Sequence, residues 1–176
     1  VKRARQEETT VQGALSAAML RAASRRAPHG LPARMTCDAN VDLRPLCQPP
    51  VPDDTIAMLI GSISWMFKVQ ADPPFWGLAR EVRGRIAQML EEEDPRHNMK
   101  LVEWIGFQQG WIRQGIQSGH GRQQTVFVSN LGRAEAPAGL RHLSYATAQH
   151  GMGACFWLGA VTLHGSLGLT FAHVRP

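Results

Sequence analysis

Apolar positions near the start of the chain recur at the spacing of one helix face: Val11, Leu15, Ala18 and Ala22. Thr9 and Gln12 resemble a capping box ahead of this face, because a hydroxyl and an amide three residues apart can satisfy the first free N–H groups of a helix. Pro28 and Gly30 are typical of a helix end. The pattern predicts an amphipathic helix between Thr9 and Pro28.

Residues 34–44 change to strict alternation, which is the period of a β-strand. The apolar side chains share one face: Met35, Cys37, Ala39, Val41 and Leu43. The polar side chains share the other: Arg34, Thr36, Asp38, Asn40, Asp42 and Arg44. Prolines at positions 45, 49, 50 and 52 then break regular structure. A second β-rich run over residues 55–69 predicts another strand.

Asp72 followed by Pro73 is a favourable helix start, with a capping residue and then proline in the first turn. The helix behind it has an apolar stripe formed by Leu78, Val82, Ile86 and Met89. Asp94 and Pro95 predict the start of another helix, which Gly119 and Gly121 end. These patterns predict two successive helices after the second strand.

The last third of the chain predicts four β runs, over residues 124–131, 142–148, 156–163 and 167–174. The last two runs are joined by a short turn at residues 164–166, which favours a hairpin. The complete order is helix, strand, strand, two helices and four strands. We therefore expect an α/β protein with a mixed sheet flanked by helices.

The composition is typical of a globular domain, with 176 residues, 44% hydrophobic and 19% charged. No apolar run reaches the roughly 18 residues needed to span a bilayer, and the charged start lacks the apolar segment of a signal peptide. The first residue is Val1, which favours a start within a longer protein. Cys37, Cys47 and Cys155 are odd in number and widely spaced, which favours buried, reduced thiols. We expect a cytoplasmic protein without membrane spans.

A net charge of +5 raises the alternative of a nucleic-acid-binding protein. The basic residues are, however, spread along the chain, and the aromatic residues are not interleaved with them as a stacking platform requires. Beyond Asp94 the only carboxylates are Glu103 and Glu135, so the last third cannot form a carboxylate-rich metal site by itself. The positive net charge by itself therefore does not indicate a nucleic-acid-binding protein. It is still compatible with a site for an anionic carrier or co-substrate.

The sequence contains no local signature of a complete active site. Cys-x-x-Cys, His-Glu-x-x-His and Gly-x-Ser-x-Gly are all absent. The seven histidines are isolated from one another. His142 and His150 could share a sheet face, but about 26 Å of strand would separate them. The chain by itself predicts no metal centre and no self-sufficient catalytic machinery.

Short segments in a fixed order change this interpretation. The first is an Ala- and Leu-rich helix at residues 14–20, followed by Asn-Val-Asp-Leu-Arg-Pro at residues 40–45. Phe-Trp-Gly-Leu-Ala-Arg-Glu-Val follows at residues 75–82, and Val-Phe-Val-Ser-Asn-Leu-Gly-Arg at residues 126–133. A hairpin ending Gly-Leu-Thr-Phe at residues 168–171 closes the set. The ordered set resembles the second half of polyketide-associated acyltransferases, relatives of chloramphenicol acetyltransferase and condensation domains.

The resemblance implies one half of a two-part enzyme. Such enzymes have two similar halves with the active site in a tunnel between them, and their catalytic His-His-x-x-x-Asp motif lies in the first half. This chain contains no match to that motif. Residues 1–176 would therefore be the C-terminal subdomain of a CoA-dependent acyltransferase fold, with the N-terminal half as the partner that supplies the histidine.

The resemblance also implies site residues. Ser129 matches the serine that hydrogen-bonds the tetrahedral intermediate, although a strand-end hydroxyl can instead bond its own backbone. Asn130 beside it is a second candidate, with shaping of the turn as its alternative role. Arg44 matches an arginine near the tunnel, and would bind substrate or form an ion pair with Asp42. The five tryptophans are expected in the core or in subdomain packing: Trp65, Trp76, Trp104, Trp111 and Trp157.

The implied reaction is transfer of an acyl group from acyl-CoA or an acyl carrier protein to an alcohol, in secondary metabolism. No bound cofactor or metal is expected, and neither nucleic acid nor a membrane is an expected partner. Two alternatives stay open: a condensation-type enzyme that forms amides or catalyses cyclisation, and a non-catalytic interaction domain. The sequence does not separate hydroxyl from amine nucleophiles, because the pocket would be shared with the other half.

Overall fold

The computed structural model describes residues 1–27, 30, 32–52, 54–57, 59–92, 124–137, 139–147 and 153–173. It confirms the predicted α/β class, with a mixed sheet flanked by helices. The helices are α1 (Lys2–Gln6), α2 (Val11–Ser24) and α3 (Phe75–Glu92). The strands are β1 (Ala33–Asp42), β2 (Ile60–Val69), β3 (Gln124–Ala134), β4 (Ala154–Leu163) and β5 (Ser166–His173).

The five strands form one sheet in the order β2-β1-β3-β4-β5. The central strands β1, β3 and β4 are parallel, whereas β2 and β5 pair antiparallel at the two edges. Parallel strands end at the same edge of a sheet. The pairing of residues 37–39 of β1 with residues 126–128 of β3 therefore brings together two segments that are far apart in the sequence.

One face of the sheet carries the hydrophobic core. Helix α2 packs on this face and α3 packs against α2, so that Ala17 and Leu20 of α2 are fully buried. The alternation predicted for β1 is confirmed, because Met35, Cys37 and Ala39 all join this core. The opposite face, which we call the open face, carries the polar side chains of β1 and the chain that links β3 to β4.

Helix α2 begins one residue later than the capping-box prediction. Thr10 is the N-cap, and its hydroxyl accepts a hydrogen bond from the Gly13 amide at 3.0 Å. The Thr9 hydroxyl instead donates to the Ala79 carbonyl of α3 at 2.8 Å. The prediction was wrong because a tertiary contact uses Thr9, which no local pattern shows.

Boundaries elsewhere shift for similar reasons. Helix α3 begins at Phe75 and not directly behind Asp72, whose carboxylate pairs with Arg21 of α2. Arg44 lies in a short 3₁₀ turn (Arg44–Leu46) after β1 and not on the strand. The second strand begins at Ile60 instead of residue 55, and the short helix α1 was not predicted. The helix expected from Asp94 onward lies outside the described residues.

Residues 142–147 do not form the predicted strand. Because β3 and β4 are parallel, the chain must return along the sheet before β4 can begin. The described part of this connection, residues 139–147, crosses the open face, and its Tyr145 contacts both β3 and β4. His142 therefore does not share a strand face with His150, which lies outside the described residues.

Candidate functional site

A cleft of about 730 Å³ opens on the open face, beside the carboxyl-terminal end of β1 and the middle of β3. The structure brings all three residues predicted from the resemblance, Ser129, Asn130 and Arg44, into its lining. Arg44 and Ser129 are separated by 84 residues of chain, so the parallel pairing of β1 with β3 is what brings them together. The other lining residues are Asn40, Val41, Asp42, Ile60, Phe127, Leu131, Tyr145, Thr147, Gly153 and Trp157.

Ser129 is held from two sides. Its side chain is buried, with 5% of the residue exposed. The Asn40 side-chain amide donates a hydrogen bond to the Ser129 hydroxyl oxygen at 3.0 Å, and the Tyr145 hydroxyl donates to the Ser129 carbonyl. Among the described residues, the hydroxyl does not bond its own backbone. Its orientation is therefore determined by a neighbouring strand.

Asn130 shapes an irregularity within β3. Its side-chain oxygen accepts a hydrogen bond from the Gly132 amide at 3.0 Å, and Gly132 has a φ of 73°. That left-handed conformation favours glycine because it has no Cβ. The register of β3 against β4 shifts between Asn130 and Arg133, at this irregularity. Asn130 thus lines the cleft, and its side chain stabilises the backbone conformation of the next two residues.

Arg44 forms an ion pair with Asp42, which the sequence predicted as the alternative to substrate binding. One guanidinium nitrogen lies 3.5 Å from the Asp42 carboxylate, and another donates to the Thr55 carbonyl at 3.2 Å. The Asp42 carboxylate also accepts from the Arg44 backbone amide at 3.0 Å. A partly exposed pair of this length contributes little to stability. The contacts hold a cation at the rim of the cleft, where a negatively charged ligand would meet it.

Aromatic side chains form one wall of the cleft. Tyr145 and Trp157 pack edge to face, with ring centroids 5.4 Å apart and an interplanar angle of 88°. Gly159 makes room for this pair, since a Cβ there would lie 2.4 Å from the Trp157 ring. Trp157 was expected only in packing, but it is buried and also lines the cleft. Trp65 lies in the core as expected, and Trp104 and Trp111 lie outside the described residues.

A buried carboxyl group lies beside the cleft on the same face of β1. Asp38 is 3% exposed, and its carboxylate accepts a hydrogen bond from the Ser64 hydroxyl at 2.7 Å. Burial raises the pKa of Asp38 from 3.8 to about 6, although the Ser64 hydrogen bond opposes this shift. The sequence pattern placed Asp38 on a polar face, but its burial was not predicted.

The raised pKa of Asp38 predicts a stability that falls with rising pH. The folded protein binds this proton more tightly than the unfolded chain, so the stabilisation is fully present below about pH 4 and is lost as the pH passes 6. The loss corresponds to roughly 2–3 kcal/mol. Asp38→Asn removes the titrating group and keeps an acceptor for Ser64, so this decline should disappear in urea unfolding between pH 4 and 7.5.

The same substitution at exposed Asp54 serves as the control for Asp38→Asn. That variant should retain the wild-type pH profile because Asp38 is intact. A decline that persists unchanged in Asp38→Asn would contradict the assignment to this carboxyl group.

The described residues contain no group of three or more side chains that could hold a metal ion. All three cysteines are free, but only Cys37 is buried, whereas Cys47 and Cys155 are partly exposed. The expectation of three buried thiols was therefore wrong for two of them. Within the described part of the chain, no helix is long and apolar enough to cross a membrane. The cytoplasmic location stays a prediction from the sequence.

The fold is an α/β domain with a polar and aromatic cleft on the open face of its sheet. Residues 1–153 match the family described as phthiocerol/phthiodiolone dimycocerosyl transferase C-terminus, and the chain belongs to this family. The match confirms the resemblance inferred from the ordered motifs. No curated protein matches the chain.

A solved structure shares the fold. It is described as the structure of polyketide synthase associated protein 5 from Mycobacterium tuberculosis, and the two chains superpose with a TM-score of 0.63 at 16% sequence identity. The match covers 99% of this chain and 44% of that chain. This chain therefore spans less than half the length of that structural relative.

Proposed function

We propose that this chain is the C-terminal half of an acyltransferase that moves an acyl group from a thioester to an alcohol in polyketide lipid biosynthesis. The observation that carries the proposal is the convergence of Ser129, Asn130 and Arg44 in one cleft. The family description of the matching C-terminal region supports transfer of an acyl group. The acyl donor would be acyl-CoA or an acyl carrier protein, and the acceptor a hydroxyl group.

The reaction needs a base, and the sequence of this chain has no His-His-x-x-x-Asp motif. A histidine from the N-terminal half would take the proton of the acceptor hydroxyl, whose oxygen attacks the thioester carbonyl carbon. The carbonyl oxygen becomes an oxyanion, and the Ser129 hydroxyl would donate a hydrogen bond to it. Collapse of the intermediate breaks the C–S bond and releases the thiol, which receives the proton from the histidine.

The aromatic side chains and the arginine of the cleft match the two ends of an acyl-CoA or carrier-bound acyl donor. Tyr145, Trp157 and Phe127 offer an apolar surface for an acyl chain along the open face. Arg44 at the rim would meet the phosphate-bearing arm of a CoA or carrier-bound donor. The proposal thus assigns the two chemically different ends of one donor to two different parts of the cleft.

An exposed apolar stripe supports the presence of a second half. Leu167, Leu169 and Phe171 are 47%, 42% and 65% exposed on one side of the edge strand β5. Phe156 on the adjacent strand β4 extends the same side. Apolar surface of this kind is typical of an interface. Phe171 is paired with the core residue Leu158, so the stripe lies on the helix-bearing side of the sheet and not in the cleft. We propose the N-terminal half as the partner that covers it.

The experiment uses the protein that contains this chain together with its first half. Native mass spectrometry first establishes the composition, because this chain alone has a mass of 19.4 kDa. Thiol release is then measured with acetyl-CoA or palmitoyl-CoA as donor and 1-octanol or 1-octylamine as acceptor, with the acceptor omitted as the control for hydrolysis. Acceptor-dependent release is expected with the alcohol.

Two results would contradict the proposal. Release with the amine alone would favour the condensation-type alternative. A protein that contains both halves but gives no release with any donor and acceptor pair would favour a non-catalytic interaction domain.

A further inference from the structure

We propose that Asn40 is the positioning residue that turns the Ser129 hydroxyl into a hydrogen-bond donor aimed into the cleft. This inference rests on the proposed acyl-transfer function, because it concerns how the oxyanion donor is oriented. The sequence placed Asn40 on the polar face of β1 and in the motif of residues 40–45, but it assigned no role to the side chain. The contact with Ser129 arises only from the pairing of β1 with β3.

The contact is built into the sheet. In the parallel pairing of β1 with β3, Ala39 is the partner of Val128. The next residue on each strand is Asn40 and Ser129, and both side chains point to the open face. Backbone hydrogen bonds therefore set the distance between the two side chains, and the observed N–O distance is 3.0 Å.

The direction of this hydrogen bond decides what the serine can do. A hydroxyl has one proton and two acceptor lone pairs. The Asn40 amide donates, so it occupies a lone pair and leaves the proton of Ser129 for another acceptor. Among the described residues no group accepts that proton. The hydroxyl can then donate to an oxyanion that forms in the cleft.

The backbone of Ser129 is held as well. The Tyr145 hydroxyl donates to the Ser129 carbonyl, and the Gln12 side chain of α2 donates to the preceding carbonyl of Val128 at 3.1 Å. These contacts restrict the position of the serine Cα, but neither acts on the hydroxyl proton. Only Asn40, among the described residues, sets the direction in which the hydroxyl donates.

The substitution Asn40→Asp tests the direction of the bond. It preserves the shape of the side chain but replaces the donating amide with an accepting carboxylate. The carboxylate would take the Ser129 proton and remove it from the cleft. In the protein with both halves, kcat should fall roughly 10- to 100-fold, approaching the loss of an oxyanion donor, with little change in KM.

A matched control and a double variant separate positioning from a structural role. Gln6→Glu makes the same amide-to-carboxylate change on exposed α1 and should leave kcat unchanged. Thermal unfolding of Asn40→Asp should stay close to the wild type because the shape is kept. In a Ser129→Ala background, adding Asn40→Asp should change kcat by less than about twofold, since the two residues act as one unit.

The outcomes distinguish the inference from the function on which it rests. If the wild type transfers acyl groups but Asn40→Asp has wild-type kcat, the inference is wrong and the function stands. The inference is also wrong if Asn40→Asp lowers kcat as much in the Ser129→Ala background as in the wild type, because Asn40 would then act without Ser129. If the wild type transfers no acyl group, the proposed function fails and the inference fails with it.

Discussion

Ser129→Ala is expected to lower kcat of the protein with both halves by roughly 10²–10³-fold, with KM nearly unchanged. The substitution removes the only proton that Ser129 can donate to the oxyanion, and that interaction exists only in the transition state. The side chain is buried and lies within β3, so its position is defined before substrate arrives. Steady-state thiol release at saturating donor measures the effect.

The same deletion of a hydroxyl at Ser166 provides the control, because Ser166 is exposed at the start of β5 and outside the cleft. Ser166→Ala should keep wild-type kcat and KM. An increase in KM with unchanged kcat for Ser129→Ala would assign this serine to ground-state binding instead of oxyanion stabilisation. An unchanged kcat and KM would remove Ser129 from the mechanism.

The substitution Gly13→Ala is expected to destabilise the fold by about 1–3 kcal/mol, the usual range for overpacking a tight site. A Cβ at this position would lie 2.7 Å from the Ala79 backbone carbonyl and 2.6 Å from the Thr9 hydroxyl. A backbone atom cannot move aside without separating α2 from α3. The new methyl group would also disrupt the hydrogen bond from Thr9 to Ala79, which connects the start of α2 to α3.

Gly84→Ala on α3 is the matched control with the opposite expected sign. A Cβ there would meet nothing within 4 Å, so alanine should stabilise the helix by roughly 0.5–1 kcal/mol through its higher propensity. Urea unfolding of both variants under the same conditions makes the comparison. Stabilisation by Gly13→Ala would show that the two helices can separate without cost.

Much of the fold was predictable from the sequence because its signals are local. The alternation in β1 and the apolar stripe of α3 each follow from the period of a single element. The prediction of a strand over residues 142–148 was wrong for a topological reason. The parallel strands β3 and β4 need a crossover connection, and the chain uses this segment for it. Thr9 failed as a cap because it bonds to a residue 70 positions away.

The candidate site divides in the same way. Ser129 and Asn130 were found from an eight-residue motif, and Arg44 from a six-residue motif, because family resemblance is carried by contiguous residues. Asn40 was inside the second motif, but nothing local shows that its amide meets Ser129. Tyr145 and Trp157 had no motif at all, although Tyr145 is the only tyrosine of the chain.

The sequence by itself determined the α/β class of this protein, most of its described helices and strands, and the chemical groups available to a cleft. Periodicity and short motifs act over a few residues, so they can be read without a structure. Only the tertiary structure decided which groups meet, because the parallel pairing of β1 with β3 joins residues 89 positions apart, as in the bond between Asn40 and Ser129. It also decided that Asp38 is buried, since that depends on what covers the open face and not on the alternation of β1.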